Sequence, residues 1–413
     1  MFAYEKFDVY SRIVSSLDSS SRLNYSPLIR EAFLFCLKEV FCKPVEMPAG
    51  GLLSSGVLTD VYPEKKRIKK VGYFADRIFL GSILRKFEEK GIATTRINIA
   101  EPQYRKLLST KQKEEIDFFD SRLIEFYGAS IRRDLESRFY FLNGLIGEYF
   151  KLLAKMNVDA VLLRCYYSPY YFPIIFACKM LGVTVIDVQH GINGFKHPAY
   201  SKFKELELSS PLLPDLFWTW GGMATKMLVK DSDIEVGARV VEGGNPVCPH
   251  IKFSKNIGRY ILYTHQPQSK GIPVPYDAIK NVHSLIKEKV VIRPHPLHID
   301  EAIEIQSMLK KMNIKSKVED PVKIGINESL QSARVHVTFS STCALDALNF
   351  GIPTVYCSDY IGDVEKEFST GLLIRDSDAC MNNLIRRPDK ALNYSLGSDQ
   401  MIESAITKLL TGR

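Results

Sequence analysis

Apolar residues along this chain follow two rhythms, and the alternation between them predicts the architecture. Short uninterrupted apolar runs read as strands covered on both faces: VGYFA (71–75), DAVLLRC (159–165), VTVIDVQHG (183–191), RYILYTH (259–265), VVIRPHP (290–296) and RVHVTF (334–339). Between them lie stretches with apolar residues at helical spacing. These include ILRKFEEKG (83–91), a long proline-free amphipathic stretch over roughly 111–155, SPYYFPIIFACKMLG (168–182), a helix near 276–289, one ending near Met312, and MIESAITKLLTGR (401–413). ATTRINIA (93–100) and KSKVED (315–320) fit further strands.

Strand, crossover helix, strand is the βαβ unit, which implies parallel sheets. The rhythm runs from about Lys70, pauses over 211–249, which reads as a connection carrying a helix, a charged turn and the strand ARVVEGG (238–244), and restarts at Arg259. The expected fold is therefore α/β, doubly wound, in two domains. Residues 1–242 form an N-terminal domain with helical additions (LIREAFLFCLKEVF before the PAGG break), 243–257 a hinge, and 258–413 a second domain.

Composition adds bounds. With 413 residues, 46% hydrophobic and 25% charged, the chain suits two ordinary globular cores. The formal charge of +8 fits an anionic ligand or an acidic lipid surface. Basic residues form no single face or known module, which argues against nucleic acid. Their one compact run, Lys65, Lys66, Arg67, Lys69 and Lys70, reads as a solvated strand approach or as a contact with anionic inner-leaflet lipids. No apolar run is long enough for a membrane span, and the N-terminus lacks a signal-peptide pattern. The eight cysteines show neither CxxC nor disulfide-framework spacing, so a reduced, cytoplasmic protein is expected, at most peripheral to the inner membrane.

Candidate chemistry gathers at strand ends, where such sheets bind ligands. In FSSTCALDALNFGIP, a strand ends in Ser340, Ser341 and Thr342 just before a helix, a setting suited to a phosphate. In RPHP, two prolines present Arg293 and His295, and the imidazole is able to stabilise charge on a leaving nucleotide. In DVQHG, His190 is a candidate base, with Gln189, Gly191 and Arg164 as sugar or acceptor lining; His197–Tyr200, His265 and Gln266 are further lining. Asp215, Asp187 and Asp159 are candidate nucleophiles for a retaining displacement. Asp231-Ser232-Asp233 and Asp376-Ser377-Asp378 match the DxD pattern of metal-dependent transferases, but that pattern is short enough to arise twice in one chain, and the first, after the helix-like TKMLVK, reads as a charged turn. No zinc spacing, GxxxxGK[ST] loop or post-strand GxGxxG is present, so no metal and no cofactor is expected.

These motifs carry a resemblance. RPHP resembles the HP motif of bacterial sialyltransferases and FSST their Ser-Ser/Thr motif. The series DVQHG, HPAY, LPDLFWTWG and GGNP resembles bacterial surface-polysaccharide transferases, including retaining β-Kdo transferases, and CDP-glycerol glycerophosphotransferases have a related His-Gly loop. The resemblance covers roughly residues 159–360, and the acidic motif of sialyltransferases has no counterpart. It implies a GT-B-like fold, two Rossmann-like doubly wound domains facing a central cleft. It further implies a metal-independent glycosyltransferase moving Kdo from CMP-Kdo onto a lipopolysaccharide or capsule glycan, with His295 and Ser340–Thr342 gripping the cytidylate phosphate. A CDP- or UDP-donor transferase, or a non-catalytic nucleotide- or glycan-binding protein, is the alternative.

Overall fold

The computed structural model describes residues 67–411 apart from 75–76, 99–109, 129, 167–170, 194–199, 201–212, 233–239, 248–257, 268–270, 297 and 386–396. The expected helical N-terminal additions, most of the expected hinge, and Lys65, Lys66 and His197 lie outside the described residues.

The described residues fall into two compact units. The first takes in residues up to Thr219, Thr225–Gly243 and Gln400–Arg413; the second takes in Trp220–Ala224 and Gly244–Asp399. In chain order the first contains β1 (Lys70–Phe74), α1 (Arg77–Glu89), β2 (Ala93–Ile97), α2 (Thr110–Tyr127), α3 (Arg132–Met156), β3 (Ala160–Leu163), α4 (Phe172–Met180), β4 (Thr184–Val188), β5 (Leu216–Thr219), most of α5 (Gly222–Ser232) and β6 (Val240–Glu242). The second contains β7 (Ile261–Thr264), α6 (Tyr276–Ile286), β8 (Val290–Arg293), α7 (Ile299–Lys311), β9 (Ser316–Val318), α8 (Ile326–Gln331), β10 (Val335–Thr338), α9 (Cys343–Asn349), β11 (Thr354–Tyr356), α10 (Asp359–Phe368), β12 (Leu373–Arg375) and α11 (Met381–Leu384). A final helix, α12 (Asp399–Thr411), ends the described chain.

Each unit is built on a six-stranded, wholly parallel sheet. The first has the order β2-β1-β3-β4-β5-β6, and its order reverses between β1 and β3. The second runs β12-β11-β10-β7-β8-β9; counted from its own first strand this is 3-2-1-4-5-6, the order of dinucleotide-binding sheets, with the reversal between β7 and β10.

Period-two alternation explains why these runs are apolar throughout. In β3, Val161 and Leu163 join a core with helices α3 and α4, whereas Ala160 and Leu162 join one with α1 and α12. The second sheet repeats the device: Ile261 and Tyr263 pack with α6 and α7, and Leu262 packs with Leu330, Ala347 and Phe350.

Three features depart from the sequence expectation. The stretch 211–249 is more than a connection: its expected helix and strand are α5 and β6, and with β5 they complete the first sheet. Leu216–Thr219 has only four residues between a proline and a glycine, too short to show a period. The long helix over 111–155 is two helices. Gly128 closes α2 in the left-handed region (φ 68°), and Asp120 fixes the corner by accepting from Ser130 Oγ at 2.9 Å and Ile131 N at 2.7 Å. Lastly, α12, expected in the second domain, buries Ile402, Ala405 and Ile406 in the first unit's core beside Val71, Leu162 and Trp218.

No helix among the described residues is long and apolar enough to cross a membrane. The basic run leads into β1, where Lys70 Nζ donates to Met156 O at 2.8 Å, and Arg67 and Lys69 are exposed.

Candidate functional site

In a doubly wound sheet, the crevice beyond the carboxyl ends opens where the strand order reverses, because the flanking connections leave to opposite faces there. In the second unit that point lies between β7 and β10. His336, fully buried in β10, stitches the strands together: its Nε2 is 2.8 Å from Thr264 Oγ1 and its Nδ1 3.1 Å from Thr354 Oγ1. Burial lowers its pKa to about 3, so it is a neutral crosslink.

Just past these strands, Gln266 Oε1 accepts from Ser340 N at 2.8 Å and from Ser340 Oγ at 3.2 Å. Thr338 Oγ1 accepts from Ser341 N at 3.2 Å, and Ser341 Oγ from Cys343 N at 3.3 Å. Ser340, Ser341 and Thr342 are all half-buried, so the hydroxyl-rich loop is ordered by its neighbours. The helix it leads into, α9, has seven residues and begins at Cys343; Thr342 precedes it without a side-chain cap bond. So short a helix adds little axial dipole, and with the Ser340, Ser341 and Cys343 N–H groups already donating within the loop, its hydroxyls are what the site offers a ligand.

β10 is flanked by β11 and β7, with β8 one strand beyond β7. Hence Gln266 meets Ser340, while the RPHP loop serves another purpose. Arg293 Nη1 donates to Glu319 Oε1 at 2.6 Å and to Ser329 Oγ at 3.0 Å, and Nη2 donates to Pro321 O at 3.3 Å. Arg293, expected from the sequence among the nucleotide-binding residues, is instead held by a buried carboxylate. His295 is exposed, its ring 5.7 Å from that of His298. His298 Nδ1 lies 3.2 Å from Glu301 Oε1, and Glu301 Oε2 is 2.7 Å from His265 Nε2. His265 Nδ1 lies 3.1 Å from the Tyr263 hydroxyl. Both ring nitrogens of His265 are thereby engaged, so it props the loop rather than lining the site. Glu301, which holds two histidines, had no sequence signal, being one acidic residue in the first turn of an amphipathic helix.

In the first unit, the carboxyl ends of β3 and β4 bring Arg164, Cys165, Gln189, His190 and Gly191 together. Cys165 Sγ is 2.8 Å from His190 Nε2. Burial, then the charge of Arg164, lowers the His190 pKa to about 4, so the imidazole is neutral at pH 7. Arg164 lays its guanidinium over Phe79, 5.3 Å from the ring centroid. Gln189 is fully buried and donates from Nε2 to Gly191 O at 2.7 Å, so it staples the loop rather than lining it.

The three candidate nucleophiles all serve the backbone. Asp159 and Asp215 each precede a strand, which in a parallel sheet puts them on the amino edge, opposite the ligand edge. Asp159 accepts from Lys69 N and Lys70 N, both at 2.9 Å. Asp215 accepts from Val185 N at 2.7 Å and pairs with Lys179. Asp187 does stand near the end of β4, yet it is only 1% exposed, and its oxygens accept from Tyr166 N at 3.0 Å and the Tyr200 hydroxyl at 2.8 Å. Burial raises its pKa to about 7.

Among the described residues no group of three or more His, Cys, Asp or Glu is placed to hold a metal ion. Asp231 and Ser232 end α5, and Asp376–Asp378 form a single turn after β12.

Comparison of whole structures places this geometry in a wider group. A UDP-GlcNAc 2-epimerase from Methanocaldococcus jannaschii, in complex with UDP-GlcNAc and UDP, superposes with a TM-score of 0.51 at 16% identity, covering 83% of this chain and 100% of that one. The fold is of the GT-B type. A second UDP-N-acetylglucosamine 2-epimerase gives 0.52 at 16% identity, over 85% of this chain and 96% of the other. The Neisseria meningitidis UDP-GlcNAc 2-epimerase bound to UDP-GlcNAc gives 0.50 at 15%, over 84% and 100%. At such identity the likeness is one of fold. No protein-family model matches this GT-B chain, and no curated protein matches it. The resemblance to sialyltransferases and Kdo transferases therefore rests on its short motifs alone.

Proposed function

We propose that this protein is a sugar-nucleotide enzyme, a glycosyltransferase, which binds the nucleotide of its donor beyond β7 and β10. One observation carries the reading: the Gln266–Ser340 junction and the Ser340–Thr342 loop stand at the point where the second sheet reverses its order. The hydroxyls of Ser341 and Thr342, on a loop whose Ser340 and Ser341 N–H groups are held by Gln266 and Thr338, suit phosphate oxygens. On the acceptor side His190, held neutral by burial, is the base in this reading. The acceptor is a bacterial surface glycan or glycolipid, and exposed Arg67 and Lys69 fit contact with anionic lipid.

Two donors compete. CMP-Kdo follows from the motif resemblance. A UDP-sugar is favoured by the fold relatives, two of which hold UDP-GlcNAc. Thermal melts of the intact protein with saturating CMP, CDP or UDP, each with and without EDTA, separate them. Stabilisation by UDP alone assigns a UDP-sugar, and by CMP alone a CMP-sugar. A ligand at 100 times its Kd raises stability by about 2.7 kcal/mol, easily read as a shift in Tm. No shift with any of the three sinks the reading.

A further inference from the structure

The sequence points to His190 but gives no reason to notice Cys165, since cysteines in apolar strands usually pack as small hydrophobes. Three structural facts set this one apart. It stands two residues past the end of β3, on the ligand edge, beside the point where the first sheet reverses its order between β1 and β3. Its backbone has φ 62°, a left-handed conformation that a residue with a β-carbon adopts only when its surroundings impose it. Its Sγ lies 2.8 Å from His190 Nε2, and the residue as a whole is only partly buried.

We propose that Cys165 and His190 form a thiol–imidazole dyad, a nucleophile with its own general base, that takes small soft electrophiles such as alkylating agents. Nucleotide binding beyond β7 and β10 does not involve this pair, which lies in the other unit, although the pair shares His190 with the acceptor side of the proposed function. At rest the proton stays on sulfur. As the new Sγ–C bond forms and the carbon's leaving group departs with its electron pair, the thiol proton passes to His190 Nε2, which later releases it to water. Arg164 suits both ends of this step, because its charge keeps the resting imidazole neutral and favours negative charge developing on sulfur.

The groups bearing on the pair are Arg164 at the end of β3, Tyr171 at the head of α4 and Asp187 in β4; Tyr171 is pushed up by burial and senses Arg164, Cys165 and Asp187. Asp187 itself is pushed up by burial to about 7, so its charge changes across the range tested. A His190→Gln variant keeps Asp187 and separates the two effects.

The test is limited iodoacetamide labelling of the intact protein, with each cysteine's rate read by peptide mass spectrometry and exposed Cys380 as internal reference. Between pH 7 and pH 5 an ordinary thiol loses about 100-fold in rate, because its thiolate fraction falls tenfold per unit. Base assistance by an imidazole that stays neutral over this range predicts a loss at Cys165 of less than about threefold. In His190→Gln, Cys165 labelling at pH 6 falls by ~100-fold, the low side of what general-base assistance contributes. A cysteine that merely packs against the ring predicts the opposite, since a smaller neighbour uncovers sulfur and leaves or raises the rate. Parallel pH profiles at Cys165 and Cys380, or undiminished labelling in the variant, overturn the dyad. Should His190→Gln fail to fold by circular dichroism, the wild-type profile decides alone. A nucleotide-binding protein with an inert Cys165, and the converse, are both readable, so the two proposals fail separately.

Discussion

Replacing Asp187 by Asn tests the account of the first sheet most directly. The carboxylate is 1% exposed, and burial raises its pKa from 3.8 to about 7 although Tyr200 and Tyr166 N both donate to it. The sign follows from linkage. Between pH 4 and 7 the folded state holds a proton that the unfolded state has lost, so stability is complete below the unfolded pKa and declines as pH rises to the folded one. At about 1.4 kcal/mol per unit over this window of roughly 3 units, the Asp187 share of that loss is on the order of 4 kcal/mol. Asparagine keeps the shape, accepts from Tyr166 N through Oδ1 and donates from Nδ2 to the Tyr200 oxygen, without any charge to bury. Asp187→Asn should match wild type near pH 4 and exceed it progressively up to pH 8. Urea titrations at each pH give the difference, with fluorescence of Trp218, fully buried in the same sheet, as reporter in a Trp220→Phe background. A difference that does not grow with pH, or that favours wild type at pH 8, refutes the buried-carboxylate argument.

Other consequences are as direct. Gly243→Ala sets a β-carbon 1.9 Å from the Trp218 ring, so it should cost at least ~1–3 kcal/mol, visible as a lowered Tm. Arg293→Met strands Glu319, which is only 5% exposed, and should lower stability by about 3–5 kcal/mol in urea titration; an unchanged midpoint would mean that the guanidinium is free for a ligand after all. Gln266→Ala removes the acceptor of two Ser340 donors and should weaken whichever nucleotide stabilises wild type by about tenfold in titration calorimetry, the ~1.4 kcal/mol of one net hydrogen bond. Truncation after residue 398 uncovers the first unit's core where Ile402, Ala405 and Ile406 sat, and should cost ~4–6 kcal/mol or leave the protein insoluble.

Much of this was legible in the sequence for a simple reason: a strand covered on both faces must be apolar along its whole length, and a crossover helix must be amphipathic. VVIR, VHVT and AVLL announce themselves, and with them the parallel, doubly wound class and the ligand edge. Ser340–Thr342, Gln266 and His190 were findable because each stands at the end of such a run. What lay beyond reach was which neighbour each residue meets. Asp159 and Asp187 look alike in sequence, yet one precedes its strand and the other ends it, so they lie at opposite edges of the sheet. Arg293 looks like a phosphate ligand until strand order sets Glu319 against it, and His295 yields its expected place to Gln266 because β7 lies between β8 and β10. The closeness of Cys165 to His190, 25 positions apart, is likewise a product of strand pairing. Local pattern determines which face of an element is buried; only the order in which strands assemble determines who sits beside whom, and chemistry depends on that adjacency.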